Sequence, residues 1–145
     1  MTALPALRFA GLSALALLTA CAAPAPVPAV GEIVVSSGSF AGTNTTQIFS
    51  DGTVIRTAAQ PGRAPIRSIT HAMPDAYRNA AAVLVAEGLA TQRALKPQER
   101  PCLDYGTDQV TATPPVSGFD TASAMCPDAV LSGLMSDVLA TLGQP

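Results

Sequence analysis

An α+β fold is predicted for this chain: a small antiparallel sheet with two helices packed on one face, and one disulfide. Two observations predict it. Short β-branched segments are separated by turn residues, and two apolar segments of helical period each follow a Pro-Asp pair. These segments come in the order strand, hairpin, helix, strand region, helix. That order favours an antiparallel sheet with its helices gathered on one side.

The first part of the sheet is predicted from one strand and one hairpin. Glu32–Ser36 is β-branched and short, and Asp51-Gly52 joins two further arms at 44–50 and 53–57. Asp-Gly between such arms is typical of a hairpin turn with a loop of about two residues. A loop of that length predicts these cross-strand pairs: Ile48 with Ile55, Phe49 with Val54, and Gln47 with Arg56.

The first helix is predicted to follow a loop. Residues 58–71 contain proline and glycine and are expected to form that loop. Pro74-Asp75 then starts the helix, because proline suits the first turn and a carboxylate suits the positive end. Apolar residues at helical spacing continue to Glu87, and Gly88 is a candidate break. Residues 89–95 fit either a continuation of the helix or a strand.

The rest of the chain predicts a second strand region and a last helix. The strand region covers 103–105 and 109–113, and Pro114-Pro115 is expected to end it because proline cannot donate a ladder hydrogen bond. A polar loop follows, and Pro127-Asp128 starts the last helix. Its apolar stripe consists of Val130, Leu131, Leu134, Met135, Val138, Leu139 and Leu142.

The N-terminal residues have the layout of a secretory signal peptide. Arg8 precedes the apolar run Phe9–Leu18, which is shorter than the roughly 20 residues that span a bilayer. The run ends in Leu18-Thr19-Ala20-Cys21, which resembles the lipobox of bacterial lipoproteins. The resemblance implies cleavage just before Cys21, a diacylglycerol on its thiol, and an acyl chain such as palmitate on the new amine.

The resemblance also implies a location. Ala22, in place of Asp, resembles lipoproteins of the Gram-negative outer membrane, so we expect a lipid-anchored envelope protein that faces the periplasm. The Pro/Ala-rich residues 22–29 are expected to form an extended tether of about 25 Å. The alternative is an ordinary secretory cut after Ala22 or Ala23, which would discard Cys21 and leave a soluble secreted protein.

The composition predicts one small domain and excludes some partners. We expect a signal peptide at 1–20, the lipidated Cys and tether at 21–30, and a single α+β domain at 31–145. Without Arg8, seven Lys or Arg stand against ten Asp or Glu. This acidic balance excludes nucleic acid as a partner and gives no electrostatic attraction to anionic lipid. No cofactor is expected.

The cysteine count predicts one disulfide. Three cysteines would leave an odd thiol in an exported protein. Assigning Cys21 to the lipid leaves Cys102 and Cys126 in an oxidising compartment, where a disulfide between them is expected.

No residue is assigned a catalytic or metal-binding role. His71 is the one histidine, and Ser68 and Thr70 are too close to it in sequence to indicate a nucleophile. Neither a GxSxG nor an SxxK motif is present. Turn formation is favoured over a calcium site, because no calcium loop has the spacing of these candidate residues: Asp104, Tyr105, Gly106, Asp108 and Asp120.

Three arginines form a candidate binding surface. Arg56, Arg63 and Arg67 lie between the hairpin and the first helix. Forked guanidinium groups suit carboxylates and phosphates, so a binding face is predicted around them. The alternative is that they only solvate an otherwise apolar loop.

Two classes of function follow. The favoured one is a non-enzymatic binding or assembly module for an envelope protein or cell-wall component, with a periplasmic enzyme inhibitor as a variant. The other is a small envelope hydrolase that uses His71 or a carboxylate. A pocket that converges on His71 or on two carboxylates would favour the enzyme. The candidate carboxylates are Glu32, Asp104 and Asp108.

The lipobox gives the first testable prediction. In a Gram-negative host, Cys21→Ser should abolish fatty-acid labelling and leave uncleaved precursor, because the thiol that accepts the lipid is gone. Ala22→Ser keeps that thiol and should remain labelled. Normal processing of Cys21→Ser to a water-soluble mature form would contradict the prediction.

Overall fold

The computed structural model describes residues 30–71, 73–96, 102–103 and 105–143. Cys21, the tether up to residue 29 and Asp104 lie outside the described residues. The strands are β1 (Glu32–Ser39), β2 (Gly42–Phe49), β3 (Val54–Ala59), β4 (Ile66–Thr70), β5 (Asp108–Val116) and β6 (Phe119–Ala124). The helices are α1 (Ala76–Val83), α2 (Leu89–Ala94) and α3 (Ala129–Ala140), and a π-helical segment (Leu84–Gly88) joins α1 to α2.

The strands form one antiparallel sheet in the order β4-β3-β2-β1-β5-β6. Alternate residues of β1 are buried, and its Ile33 and Val35 belong to a core that also contains Leu84 and Leu131 from the helical segments. The segment from α1 to α2 and helix α3 both pack on this side, which we call the helix-side face. The predicted fold class, with two helical segments on one face of an antiparallel sheet, is confirmed.

The predicted register of the hairpin is wrong by one residue. Ile48 pairs with Val54 and Gln47 with Ile55, so Arg56 pairs with Thr46. Because side chains alternate along a strand, this register places Ile48 and Val54 side by side on the helix-side face, where both are buried.

The turn explains the shift. Phe49 N donates to Thr53 O at 2.9 Å, which leaves a three-residue loop of Ser50, Asp51 and Gly52. Gly52 has φ +86°, the left-handed conformation that closes such loops. The Asp51 carboxylate accepts a hydrogen bond from Thr53 N at 2.8 Å. Asp-Gly therefore forms the end of a longer loop here and not a turn of its own.

The predicted loop at 58–71 is also wrong, because it contains the end of β3 and all of β4. The chain reverses where Arg63 N donates to Gln60 O at 3.1 Å, with Gly62 at φ +73°. The proline and glycine that indicated a loop are confined to this turn and to Pro65, just before β4. Ile66–Thr70 then pairs with β3 along its whole length.

The second strand region differs from the prediction at both ends. Its predicted first part, 103–105, is not a strand, because Leu103 lies in a turn and Tyr105 forms an isolated bridge with Ser39. Its second part is longer than predicted. β5 runs through Pro114-Pro115 to Val116, and the predicted polar loop contains β6. The pairing of β5 with β1 stops at Thr113, and the pairing with β6 is irregular between Thr111 and Val116. The prolines therefore lie where the regular ladder needs no N–H donor.

Gly88 does not break the first helical segment, and of the two alternatives for residues 89–95 the structure has the helix, to Ala94. Helix α1 begins at Ala76 and continues through the π-helical segment into α2. A Cβ at Gly88 would lie 2.8 Å from the Phe119 ring of β6. Glycine is needed here for close packing of the helix on the sheet.

The two Pro-Asp starts behave differently. The Asp128 carboxylate caps α3 by accepting from Val130 N at 2.9 Å and Leu131 N at 3.0 Å, as expected for a helix N-cap. Asp75 makes no such bond and forms an exposed ion pair with Arg78 at 2.7 Å. The buried members of the predicted α3 stripe are Leu131, Leu134, Met135, Val138 and Leu142, whereas Val130 and Leu139 are exposed.

The predicted Cys102–Cys126 disulfide is present, with its Cα atoms 5.2 Å apart. It joins the segment before β5 to the segment before α3. None of the helices in the described part of the chain is long and apolar enough to cross a membrane.

The disulfide should stabilise the domain strongly. The chain-entropy relation for a loop of about 25 residues gives roughly 3.5 kcal/mol. Replacing Cys102 and Cys126 together by Ala should lower the free energy of unfolding in urea by about that amount. Cys21→Ser should leave it unchanged. An unaltered urea midpoint in the double variant would contradict this prediction.

Candidate functional site

The three candidate arginines are exposed but do not share one face of the sheet. Arg56 on β3 pairs with Ser68 on β4, whereas Arg67 pairs with Thr57. Side chains alternate along a strand, so Arg56 projects from the helix-side face and Arg67 from the opposite face, which we call the open face. Arg63 lies in the turn between the two strands. The arginines therefore surround the outer edge of the sheet.

Two shallow depressions adjoin Arg56 and Arg63. The first, of about 220 Å³, is lined by Arg56, Ile66 and Ser68 among others. The second, of about 130 Å³, is lined by Arg63, Ile66 and Ala64. Ile66 contributes to both, so the two depressions are neighbours beside β4. They combine apolar surface with guanidinium groups.

No carboxylate neutralises the arginines in the part of the chain that the structure describes. The ion pair found there joins Arg78 to Asp75. The sequence explains this, because residues 52–74 contain three arginines and no Asp or Glu. Arg56, Arg63 and Arg67 therefore give this end of the sheet a local positive charge on a chain that is acidic overall.

The edge strand β4 is exposed along its whole length. Its two isoleucines remain largely accessible, with 76% of Ile66 and 50% of Ile69 exposed. At the other edge of the sheet, half of β6 is buried and the strand contacts α2. The two edges therefore differ, and β4 is the accessible one.

His71 lies just after β4 and beside the loop that precedes β3. Its Nδ1 atom is 3.5 Å from Thr53 Oγ1, and both side chains are at the surface. Hydrogen bonds from the Thr53 backbone N–H and then from its hydroxyl lower the pKa of Asp51 below its ordinary value of 3.8, with a small further contribution from His71. Ser68 and Thr70 are close to His71 in sequence, but the hydroxyl that the β3–β4 pairing brings to His71 is that of Thr53.

The candidate carboxylates do not converge on one cleft. Glu32 lies on the open face and accepts a hydrogen bond from Gln47 Nε2 at 2.8 Å. Asp108 is buried at the start of β5, on the helix-side face and toward the other end of β1. A third depression, of about 170 Å³, lies near the β1–β2 turn. Neither His71 nor a carboxylate lines any of these three depressions.

Asp108 has a structural partner instead. The Tyr105 hydroxyl donates to Asp108 Oδ2, while Oδ1 is buried with no hydrogen-bond partner among the described residues. This hydrogen bond, together with burial and the charge of Asp108, raises the pKa of Tyr105 to about 12. Tyr105 also forms a β-bridge with Ser39, so the pair ties the segment after the disulfide to the sheet.

The calcium interpretation gains no support from the described residues. They contain no group of three or more His, Cys, Asp or Glu side chains that could hold a metal ion. Asp120 lies on β6 and accepts from Gln92 Nε2 at 3.1 Å. Asp104 lies outside the described residues.

Comparison with known proteins adds no assignment. The sequence matches no family model, and a search of curated proteins finds no match.

The Tyr105–Asp108 pair gives a prediction on stability. Tyr105→Phe should lower the free energy of unfolding at pH 7 by about 2 kcal/mol, because a buried carboxylate loses its donor. Urea unfolding measures this loss. Tyr77→Phe is the matched control, since no hydrogen bond to the Tyr77 hydroxyl is found among the described residues, and it should have little effect.

The raised pKa of Tyr105 sets the pH dependence. The folded state favours the neutral phenol of Tyr105. The contribution of its hydrogen bond to the free energy of unfolding is therefore fully present below the ordinary pKa of 10.0 and is lost as the pH rises to about 12. The tyrosinate absorbance that wild type gains over Tyr105→Phe should appear only as the pH approaches about 12. Appearance of that difference near pH 10, or equal stability of both Phe variants, would contradict this role.

Proposed function

We propose that this protein is a lipid-anchored module of the cell envelope that faces the periplasm and binds an anionic envelope partner. Lipid on Cys21 attaches it to the outer membrane, and the tether holds the domain away from the lipid headgroups. The contact is made through Arg56, Arg63 and Arg67, which we call the arginine surface. In this proposal the protein is a binding or assembly module and not an enzyme.

The observation that carries the proposal is the charge of the arginine surface. Three exposed guanidinium groups surround an accessible sheet edge, within a segment of sequence that has no acidic residue. Guanidinium groups form paired hydrogen bonds with carboxylates and phosphates, so they suit an anionic partner. The apolar side chains of Ile66 and Ile69 adjoin them and add surface that a partner would bury.

A small envelope hydrolase is the second candidate. It is favoured by the 3.5 Å approach of Thr53 Oγ1 to His71 Nδ1, a hydroxyl and an imidazole within reach of each other. This contact is exposed to solvent, whereas catalytic pairs are usually desolvated in a cleft. The binding module is therefore the better-supported proposal.

Charge removal tests the proposal. In the full-length protein, replacing Arg56, Arg63 and Arg67 together by Ala should strongly reduce capture of a partner from envelope extracts. Folding should be nearly unaffected, because exposed charges contribute only about 0–1 kcal/mol each. Cross-linking followed by co-purification measures capture, and thermal unfolding checks the fold.

A matched control comes from the helical segment. Arg78, Arg93 and Lys96 are exposed cations, so replacing these three by Ala removes the same charge elsewhere and should leave capture intact. His71→Ala should also leave it intact. If His71→Ala abolishes an envelope phenotype while the arginine-surface variant behaves like wild type, the hydrolase replaces the binding module.

A further inference from the structure

The outer edge of β4 can accept another strand. β4 ends the sheet, so among the described residues one side of its backbone has no strand neighbour, and all five of its residues are exposed. Unpaired N–H and C=O groups along such an edge form a template for pairing with an extended segment. Proteins often protect edges with lysine, proline or a bulge, whereas β4 contains one charge, Arg67, and pairs regularly with β3.

Positive charge reaches this edge from both faces. Arg67 projects from β4 itself on the open face. On the helix-side face, Arg56 on β3 is the pairing partner of Ser68 on β4 and lies on the side of Ser68 away from the free edge. Both residues line the depression of about 220 Å³. Ser68 is small and lines the same depression as Arg56, so a side chain added opposite Ser68 lies on the same face as Arg56.

We propose that β4 pairs with an extended segment of a partner protein that contains two consecutive acidic residues between two apolar ones. The inference rests on the proposed function and names the partner that the arginine surface binds. Backbone hydrogen bonds along the edge would supply affinity, and the side chains would supply specificity, as in other cases of strand addition.

The faces to which the side chains of β4 point determine which residue types the partner segment needs at each position. Consecutive residues of an added strand point to opposite faces, so the residue opposite Arg67 lies on the open face and its neighbour opposite Ser68 lies on the helix-side face, toward Arg56. Both positions suit a carboxylate. The flanking positions, opposite Ile66 and Ile69, suit apolar residues. The pattern apolar-acidic-acidic-apolar is the same in either chain direction, so it holds for parallel and antiparallel pairing.

A second copy of this chain does not fit the edge. The sequence contains no two consecutive acidic residues, so no segment of it carries the required pattern. Antiparallel pairing of β4 with another β4 around Ser68 would place Arg67 opposite Ile69, which leaves every guanidinium without a carboxylate. The partner is therefore a different protein.

A defined peptide tests the inference on the mature lipidated protein in detergent. The probe is a fluorescein-labelled Thr-Val-Glu-Glu-Val-Thr peptide, and anisotropy measures its binding. Replacing Arg56 and Arg67 together by Ala should weaken binding by about tenfold or more, as expected for close charge pairs at an interface. Replacing Arg78, Arg93 and Lys96 by Ala should leave it unchanged.

Two modified peptides distinguish strand pairing from simple charge attraction. A Glu-Val-Glu-Val order places both carboxylates on one face and should bind more weakly than the adjacent pair. Two N-methylated peptides are compared, one frame methylated at the odd-numbered residues and the other at the even-numbered residues. Methylation should abolish binding in one frame and spare it in the other, because only every second N–H of an added strand points to its neighbour. Equal binding of both orders, or of both frames, would overturn the proposal.

Polyanion competition and the envelope experiment complete the test. If polyglutamate, polyphosphate or phosphatidylglycerol vesicles displace the peptide as well as unlabelled peptide does, charge alone is recognised and strand addition is wrong. If the peptide fails to bind while the arginine-surface variant still loses its envelope partner, strand addition is wrong but the proposed function stands. Retention of the envelope partner by that variant rejects the proposed function itself.

Discussion

Burial of one face of the sheet determines the architecture and leaves its outer edge free. Ile33 of β1 is flanked on the same face by Ile48 and Ala112, and the helical segments cover this row. Two helices side by side, each about 10 Å wide, cover about four strands spaced at 4.8 Å. The main contacts of the helices with the sheet are accordingly with β1, β2, β5 and β6. A six-stranded sheet is wider than this layer, so β4 remains accessible on both faces.

The fold class was predictable because it depends on side-chain periodicity. Burial of one face selects alternating apolar residues in β1, and packing of a helix on a sheet selects the stripe that contains Leu131, Leu134 and Val138. The disulfide was predictable from the cysteine count. These features depend on residue type and local spacing, which the sequence contains directly.

The misassigned elements depend on contacts between distant segments. Gly88 looks like a helix end, yet its missing side chain accommodates Phe119, which lies about thirty residues later in a strand that was predicted as a loop. Gly52 looks like half of a two-residue turn, yet its carbonyl accepts a hydrogen bond from the distant Met73 N at 3.2 Å, and its positive φ closes a three-residue loop that shifts the hairpin register by one. Each glycine has a local interpretation and a tertiary one, and the sequence alone favours the local one.

The arginine surface also shows that neighbours in sequence do not reveal their placement in the fold. Arg56, Arg63 and Arg67 are neighbours in sequence, which predicted one binding face, but the β3–β4 register places Arg56 and Arg67 on opposite faces. A flat anionic surface that lies against one face of the sheet engages only the guanidinium group on that face. An added strand at the edge sends alternate side chains to both faces and can engage both. The division of the charge between the faces therefore favours an extended partner segment over a membrane or a planar polymer.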